Sequence, residues 1–370
     1  MNHFDLLLSL GGLATLAVVL WDIFVTVLHH WGGRSPVGGR VAHGLWLLAV
    51  RMLRFIPERR RRPWLGFVGP GLIPATLLLW AGLTITGFAL LYFPYLNHGF
   101  LSTQGVPAHG TFFDALYVSG ICFFTIGLGD LVPVHRLTRF LVVIEGGAGF
   151  GLVSLAVSYF GSVYTAYSAQ KALAETLFAQ SSESADGARF LANHLHAGAD
   201  HNLLAMELAR LRDGMAGIGS GFANWPVLHY FVSALPRESL LRLLFVVHDL
   251  STLLDVAVDA NQCPRVAGMG RRSGLEATAR DLRRSLAATL LLGWDVAERE
   301  ARSELEAGDP FRWAARFRLA VKVLSDAGVP VNDTPEAVEA YVRERGEWEP
   351  WVRASANVLG ESWDDVSGGC

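Results

Sequence analysis

The most specific chemistry in this chain lies in six consecutive residues, Thr125-Ile126-Gly127-Leu128-Gly129-Asp130. Glycine adopts a positive φ at little cost, so Gly127 and Gly129 allow the carbonyl groups of successive residues to point to one side. A row of carbonyls that faces one axis can replace the water shell of a dehydrated monovalent cation. The stretch therefore predicts ion coordination by backbone oxygens. A glycine-rich turn in an ordinary membrane hairpin is the alternative, but such a turn does not require this order of residues.

The flanking segments would have to hold this stretch inside a membrane. Residues 114–124 form an apolar helix candidate, which is too short to cross a bilayer because a spanning helix needs about 20 apolar residues. Longer apolar runs, residues 73–95 and 137–165, lie before and after it. The chain is therefore predicted to enter the membrane between two spanning helices and to return. Non-helical backbone is tolerated at that depth only where it is buried in protein or lines a watery cavity.

At these residues the chain resembles the potassium channel family, whose filter usually reads Thr-Val-Gly-Tyr-Gly-Asp. The resemblance covers about residues 72 to 165, the outer helix, pore loop and inner helix of that family. It implies a homotetramer, because one pore loop per chain cannot enclose an axis. It also implies that K⁺ binds the Thr125 hydroxyl and a set of backbone oxygens, in a filter that Gly129 completes and Asp130 supports; the oxygens are those of Thr125, Ile126, Gly127 and Leu128.

Three residues depart from the family pattern. Phe124 stands where a second threonine is frequent, Ile121 where some members have a glutamate behind the filter, and Leu128 where tyrosine is commonest. Leucine at this position also occurs in one pore of some two-pore-domain potassium channels. It cannot make the hydrogen bond of tyrosine, which bears on filter stability and on selectivity. A weakly selective monovalent cation channel therefore stays open as an alternative.

The third apolar run is expected to control the pore from its other end. Four glycines within six residues permit a bend or close helix packing: Gly146, Gly147, Gly149 and Gly151. The resemblance places the gating hinge at Gly149. Apolar and hydroxyl residues recur around it at three- and four-residue steps, so one helix face is predicted to line a cavity. That face consists of Phe150, Val153, Ser154, Val157 and Ser158.

Glu145 is the one acidic residue of this run. A carboxyl group in hydrocarbon costs at least about 2.5 kcal/mol, so it requires a partner in protein or water. Because Ile121 replaces the glutamate that some family members keep behind the filter, we expect Glu145 to support the filter through a hydrogen bond near Ser119 or Thr125. A protonated carboxyl that ties neighbouring helices and a cavity-facing charge that attracts cations are the alternatives.

The first 71 residues combine a membrane helix with a basic segment. Residues 6–28 are apolar enough to span a bilayer, and Asp22 near their end is expected at the interface or paired with the basic residues that follow. The arginines of residues 29–71 predict a cytoplasmic loop by the positive-inside rule. Prolines, including Pro57 and Pro63, are expected to divide the loop into short pieces.

Within this loop, residues 41–56 predict an amphipathic helix on the inner leaflet. Anionic lipid is the expected partner of the four consecutive arginines, Arg59, Arg60, Arg61 and Arg62. A nucleic-acid patch is the other interpretation of such a run. It is disfavoured because membrane helices flank the run closely on both sides.

Beyond about Ala166 charged residues appear regularly, so the predicted domains are residues 1–71, 72–168 and 169–370. Helical apolar spacing predicts an all-α last domain, with helices over residues 202–215, 239–259, 275–292, 312–327 and 335–345. Alternating strands are absent from the pattern, which argues against a nucleotide-binding strand-helix domain or a β-roll. The glycine-rich residues 214–221 follow a helix, which favours a flexible helix connection over a phosphate loop.

The composition is compatible with two domains, one of them in a membrane, since 51% of the 370 residues are hydrophobic. Residues 1–170 carry a net positive charge and the rest a net negative one. The three cysteines are far apart and predict no disulfide framework or zinc site. No catalytic constellation is visible, so neither enzyme activity nor a cofactor other than the permeating K⁺ is expected.

These patterns together predict an α-helical membrane protein with a tetrameric potassium-channel pore, an extra N-terminal transmembrane helix and an all-α cytoplasmic domain. It would reside in the inner (plasma) membrane with the filter facing outward and would conduct K⁺ passively. A membrane-anchored regulatory protein with a vestigial pore is a further alternative. The sequence contains no transmembrane run of regularly spaced arginines, so a voltage sensor is not expected. His98, His109 and His135 lie on the predicted outer side, which makes external pH a candidate stimulus.

Overall fold

The computed structural model describes residues 3–28, 37–53, 55–102, 110–196, 201–290 and 310–368, without the side chains of residues 58 and 59. Its internal contacts divide the chain into two units. The first consists of Met1–Leu45 and Gly71–Val163, and the second of Trp46–Pro70 and Tyr164–Cys370. Part of the basic loop thus groups with the C-terminal residues and not with the N-terminal helix. His109, a predicted external histidine, lies outside the described residues.

Three helices among the described residues are long and apolar enough to cross a membrane. In chain order, the helices and strands up to the end of the third apolar helix are α1 (His3–Ile23, continued as a π-helix over Phe24–Leu28), α2 (Gly38–Leu53), α3 (Glu58–Tyr92), α4 (Leu96–Gly99), β1 (Phe100–Ser102), α5 (Phe112–Phe123), β2 (Leu131–Pro133) and α6 (Arg136–Gln180). The spanning helices are α1, α3 and α6. The boundary between the two units falls within α2, α3 and α6.

Close packing of α1 on α3 depends on two glycines. A Cβ atom on Gly12 would lie 2.6 Å from the carbonyl oxygen of Gly87, and one on Gly87 would lie 2.8 Å from the Leu16 side chain. Small residues allow membrane helices to approach until their backbones touch, which gives the dispersion contacts that drive association in lipid. The N-terminal helix is therefore an integral part of the first unit.

Asp22 near the end of α1 is buried, so its expected interfacial position was wrong. Its carboxylate accepts hydrogen bonds from the Trp80 indole at 2.8 Å and from the backbone N–H groups of Val37 and Gly38 at 2.8 and 3.0 Å. The last two donors belong to the start of α2, where free N–H groups favour an anion. One carboxylate thus links α1, α2 and α3.

The start of α5 is fixed by its own residues and by a small apolar core. Thr111 and Asp114 form a reciprocal capping box, which satisfies two N–H groups that the first turn leaves free. Ala115 and Val118 pack with residues of α3, α4 and β1. β1 pairs antiparallel with β2, Phe100 opposite Pro133. The sequence pattern did not predict this two-stranded pairing, which holds the chain that follows residue 130.

Helix α3 starts at Glu58, well before the predicted residue 73. Pro57 lies between α2 and α3 as expected, but Pro63 lies inside α3, so the expected break there was wrong. Each internal proline removes one backbone hydrogen bond at a cost of about 3 kcal/mol, which packing can offset. Leu65, which is fully buried, contributes such packing beside Gly360, and Arg62 adds ion pairs. The internal prolines are Pro63, Pro70 and Pro74.

Arg62 is buried, in contrast to its expected position near lipid. Its guanidinium forms ion pairs with Glu361 at 3.0 Å and Asp365 at 2.8 Å, and its Nε donates to the Ser233 carbonyl at 3.0 Å. Trp46 of the predicted interfacial helix is likewise buried, with its ring 5.5 Å from that of Tyr230. These side chains are occupied by protein contacts within the second unit.

The second unit is a helical domain around α9, whose residues are almost all buried. The α-helices described after α6 are α7 (Gly187–Leu195), α8 (His201–Asn224), α9 (Leu240–Val256), α10 (Met269–Arg272), α11 (Leu275–Leu290), α12 (Pro310–Asp326), α13 (Pro335–Leu359) and α14 (Trp363–Ser367). Each of the five predicted helices coincides with one of these. In the described part of this domain, β structure is limited to a single bridge between Val258 and Val331.

The predicted helix connection at residues 214–221 is wrong, because α8 runs through it. Met215, Ile218 and Phe222 recur at helical spacing and are buried. Gly214 allows α8 to approach Leu173, since an added Cβ atom would lie 2.8 Å from that side chain. The burial of one face outweighs the weak helix propensity of glycine, which is about 1 kcal/mol per residue.

Candidate ion-coordination site

The chain leaves α5 through a tight, hydrogen-bonded turn at the start of the filter segment, residues 125–130. The N–H of Thr125 donates to the Cys122 carbonyl at 3.0 Å, and the N–H of Ile126 donates to the Ile121 carbonyl at 2.9 Å. This pair of bonds is a Schellman motif, which normally places glycine at the left-handed position. Here that position is occupied by Thr125, with φ at +54°.

A β-branched residue at positive φ is uncommon and costs about 1–2 kcal/mol. Glycine would avoid this cost at position 125. Such strain persists where the surrounding structure enforces it, and it is frequent at functional sites. The hydroxyl that threonine adds is the group to which the family resemblance assigns ion binding.

Left-handed backbone recurs at every second residue of the filter segment. Thr125, Gly127 and Gly129 have φ of +54°, +57° and +73°, and no positive φ occurs at Ile126 or Leu128. Peptide units that alternate in hand turn successive carbonyls toward the same side, whereas a uniform strand turns them to opposite sides. This backbone is therefore suited to present a row of oxygens to one axis.

All five residues of the predicted filter, 125–129, are exposed in the single chain. Ile126 and Leu128 expose 57% and 63% of their surface. Exposed apolar side chains next to a row of carbonyls would be unfavourable in water or lipid, so a further protein surface is needed to cover them. The chain supplies one wall of a site and not an enclosed one.

The Asp130 end of the filter segment is held by α5. The hydroxyl of Tyr117 donates to Asp130 Oδ2 at 2.6 Å, while Asp130 Oδ1 is buried without a hydrogen-bond partner among the residues that the structure describes. A hydrogen bond to a carboxylate is shorter and stronger than a neutral one. Asp130 therefore ties the end of the filter segment to the helix that precedes it.

Glu145 of α6 is fully buried and reaches α5, so the contact expected with Ser119 is present. Its other oxygen accepts a hydrogen bond from the Tyr92 hydroxyl of α3 at 2.7 Å. The carboxyl therefore links three helices behind the filter segment. It does not face a cavity, because none of its surface is exposed.

The proton count at Ser119 bears on the state of Glu145. The Ser119 hydroxyl lies 2.8 Å from the Ile85 carbonyl and also contacts Glu145. A serine hydroxyl carries one proton, and a carbonyl can only accept. Both contacts can be hydrogen bonds only if Glu145 is protonated and donates to Ser119, which then donates to Ile85. The geometry thus favours a neutral carboxyl.

Gly149 is buried against the end of α5, where a Cβ atom would clash with the carbonyl oxygen of Phe123. Close packing therefore requires glycine at this position. Helix α6 is continuous through it, and its role as a hinge stays a prediction. The residues predicted to line a cavity are all exposed in the single chain: Phe150, Val153, Ser154, Val157 and Ser158.

Sequence reasoning missed two residues of this site, Tyr92 and Tyr117. Tyr92 ends an apolar run, a position typical of tyrosines at the membrane interface, yet it is fully buried and bonded to Glu145. The sequence did contain a signal for the bond between Tyr117 and Asp130. It consists of a tyrosine within a short apolar helix and an acid at the end of the filter segment. His135, in the loop after the filter, stacks on the Tyr95 ring at 6.2 Å.

Comparison with known proteins gives two matches. Residues 76–166 match a family model described as an ion channel. The chain is 25% identical over 256 residues to the uncharacterized membrane protein YdjJ of Bacillus subtilis (strain 168), in an alignment that covers 69% of this chain and 72% of that protein. No solved structure matches. The protein is therefore a helical membrane protein with an ion channel domain. That domain contains α5, the filter segment and the part of α6 up to residue 166.

Proposed function

We propose that the protein is a passive potassium channel whose pore is formed by four identical chains. The observation that carries the proposal is the left-handed backbone at Thr125, Gly127 and Gly129, directly after α5, within residues that match an ion channel family. Carbonyl rings from four such segments would bind several K⁺ ions weakly enough that repulsion between them drives exit. Conduction then needs no energy source and no cofactor.

The exposed surfaces of the single chain support the tetramer. The filter segment is exposed, and so is the α6 face with Phe150, Val153 and Val157. Closed rotational symmetry would turn both surfaces toward a common axis, with the second below the first as a cavity wall. In this arrangement Glu145 supports the filter from behind, and Gly149 is the candidate hinge of α6.

A weakly selective monovalent cation channel is the second candidate. The observation that favours it is Leu128, whose exposed side chain has no hydrogen-bonding group. The bond between Tyr117 and Asp130 would then hold only the outer end of the filter segment. A filter that can widen coordinates Na⁺ and K⁺ with less discrimination. Ion flux of either kind would exclude a membrane-anchored regulator with a vestigial pore.

The filter assignment is tested by K⁺ flux from liposomes that contain the purified protein. Gly129→Ala should abolish the flux, because alanine is strained at a φ of +73° and would turn a carbonyl away from the axis. Gly11→Ala is the matched control, since its added Cβ atom meets nothing within 4 Å. Cross-linking should give the same tetramer for both variants. Normal potassium-selective flux in Gly129→Ala would remove the assignment.

The proposed location is the inner membrane, with the second unit in the cytoplasm. The positive-inside rule supports this orientation, because the arginine-rich loop precedes α3. A membrane-impermeant thiol reagent added outside intact cells should leave Cys263 unlabelled in a Cys122→Ser, Cys370→Ser background, and lysis should expose it. Labelling of Cys263 from outside would contradict the topology.

Binding of anionic lipid to the basic run also stays a proposal. Arg62 is committed to Glu361 and Asp365, so the proposal is restricted to Arg59, Arg60 and Arg61. Neutralising these three should weaken co-flotation of the protein with detergent-destabilised anionic vesicles. Unchanged co-flotation would refute lipid binding there.

A further inference from the structure

The second unit contains a polar cleft among α9, α10, α11 and α13. Its volume is about 330 Å³, at the small end of the range of ligand pockets. Four residues of α9 line it at helical spacing, His248, Ser251, Thr252 and Asp255, so they follow one face of the helix over two turns. A second cavity of about 290 Å³ shares Arg280, Arg283 and Glu347 with it.

Four buried polar atoms that line this cleft have no hydrogen-bond partner within the described parts of the chain. They are His248 Nε2, Ser251 Oγ, Asp255 Oδ1 and Arg283 Nε. His248 and Ser251 are only 3% and 2% exposed. Unpaired buried polar atoms are few in native proteins, and each one asks for an explanation. Four of them around one cleft indicate an occupant that pairs with them.

Three carboxylates share one guanidinium at one end of the cleft. The Arg271 guanidinium forms ion pairs with Asp255 at 2.7 Å and Glu344 at 2.6 Å, and Glu276 lies 3.7 Å away. Glu276 is also paired with Arg280, whereas the ion pair of Asp255 is with Arg271. Burial raises the pKa of Asp255 above its usual range in spite of Arg271, and Glu276 adds to the effect. An amine would relieve this end.

At the other end three arginines, Arg280, Arg283 and Arg284, line the cavity with one carboxylate, that of Glu347. Among the residues that the structure describes, no carboxylate lies within ion-pair distance of Arg283, although the charges of Glu347 and Glu276 act on it; its contacts include the Glu347 carbonyl oxygen at 3.4 Å and the Trp351 ring at 5.9 Å. Burial, together with Arg284 and Arg280, lowers the pKa of Arg283 to about 10. An acidic group would relieve this end.

His248 belongs to the arginine end. Burial first, then Arg283 and Arg280, holds its pKa well below the usual range, so the imidazole is neutral. It stacks on Trp348 with ring centroids 5.3 Å apart. A neutral imidazole beside Ser251 offers hydrogen bonds without adding charge.

We propose that the cleft binds a small zwitterion of the amino-acid class, with its acidic group at Arg283 and its amine at Asp255. An anion alone would leave Asp255 Oδ1 without a partner and would face the neighbouring carboxylates. A cation alone would leave Arg283 unpaired. Only a ligand with both charges satisfies both ends. This inference is independent of ion conduction.

Binding is tested on the purified full-length protein in detergent. The twenty proteinogenic amino acids and γ-aminobutyrate, each at millimolar concentration, are compared with acetate and methylamine as half-ligands. At least one amino acid should raise the melting temperature saturably and more than either half-ligand does. Titration calorimetry then gives its affinity. If none shifts the melting temperature, the proposal is wrong.

The residues are tested with charge-removing variants. Arg283→Gln and Asp255→Asn should each weaken binding at least about tenfold, because each removes one of the two ion pairs. Arg318→Gln and Asp326→Asn make the same chemical changes at exposed positions of α12 and should bind as the wild type does. Ser251→Ala, which is less disruptive, should weaken binding severalfold. Acetate that binds as tightly as any amino acid, or affinity unchanged in Asp255→Asn, would overturn the zwitterion.

Discussion

Two fully buried carboxyl groups, Glu145 in the first unit and Asp249 in the second, are stabilised in opposite ways. Among the described residues, the hydrogen-bond partners of Glu145 are the hydroxyl groups of Tyr92 and Ser119. Asp249 accepts charged hydrogen bonds from Arg316 at 3.1 Å and Arg345 at 3.0 Å. The membrane unit thus surrounds its acid with neutral groups, whereas the helical domain surrounds its acid with cations.

The difference follows from the cost of charge in each unit. A spanning helix in hydrocarbon would have to desolvate both members of an ion pair, so a protonated carboxyl is the less costly solution for Glu145. In the helical domain burial opposes ionisation of Asp249, but Arg316 and Arg345 outweigh it and hold the pKa of Asp249 below its usual range. The same residue class therefore has opposite electrostatic requirements at the two sites. Replacing each carboxyl group with an amide, which is neutral and of the same shape, should therefore have different effects at the two sites.

The largest effect is expected for Asp249→Asn. This change removes the counter-charge that Arg316 and Arg345 share and leaves each of them with one acid, Asp186 and Glu349, which should cost at least about 3 kcal/mol. The melting temperature of the helical domain, followed by circular dichroism of the purified chain, should fall strongly. Asp326→Asn on the exposed surface is the control and should leave it unchanged. An equal melting temperature for Asp249→Asn would break the comparison.

A second prediction concerns acid pH. A buried neutral carboxyl opposes the loss of its proton, whereas a buried neutral imidazole opposes the gain of one. Burial lowers the pKa of His229 to about 4, and its Nδ1–H donates to the Pro226 carbonyl at 2.8 Å. In the unfolded chain the imidazole of His229 binds a proton near pH 6.5. The stability that the neutral imidazole contributes to the folded chain is therefore present above that pH and is lost as pH falls toward 4. The loss should reach about 3 kcal/mol from this group.

Thermal unfolding at several pH values measures this slope. His229→Phe should flatten it, and His201→Gln, at an exposed position, should not. A slope that is the same in His229→Phe would assign the acid sensitivity to other groups.

Periodicity and local signals predicted much of the fold. Apolar spacing identified the three long apolar helices and the helices of the second unit, and Thr334-Pro335 marked a helix start that the structure confirms with a Thr334 cap. The failures involve long-range packing. Pro63 and Gly214 lie inside helices because buried neighbours offset their low propensity, and Arg62 finds acids about 300 residues away, which no local pattern reveals.

The candidate site was predictable in part for the same reason. The filter segment is a contiguous motif, so its residues were visible in the sequence. The contact of Glu145 with Ser119 followed from the need of a membrane carboxyl for a partner, but Tyr92 is 53 residues away and ends an apolar run, a position typical of tyrosines at the membrane interface. Gly149 shows the converse, because a glycine predicted to bend also has a packing role.

The third prediction tests Glu145 directly. Glu145→Gln keeps a neutral hydrogen-bonding group and should retain most of the wild-type conductance. Glu145→Leu leaves Tyr92 and Ser119 without this partner, which should cost about 1–3 kcal/mol and make the filter unstable. Single-channel recording should show intact openings for glutamine and brief or absent ones for leucine. Leucine channels with wild-type conductance and selectivity would refute support of the filter by Glu145.

The smallest effect is expected at the outer end of the filter segment. Tyr117→Phe removes one hydrogen bond to Asp130, which is worth about 1 kcal/mol because both residues are partly exposed. Mean open time should shorten severalfold, and Asp130→Asn should add little in the double variant. Fully additive effects of the two substitutions would show that they do not act through one bond.

The central claim is that the filter segment selects K⁺, and reversal potential measures it most directly. Purified protein is placed in a planar bilayer with K⁺ on one side and Na⁺ on the other. We predict a reversal potential that lies far from zero, with the sign set by K⁺ permeation, and that moves with the K⁺ gradient. A reversal potential near zero would show that the two ions permeate equally, and it would contradict a potassium channel in favour of the weakly selective one.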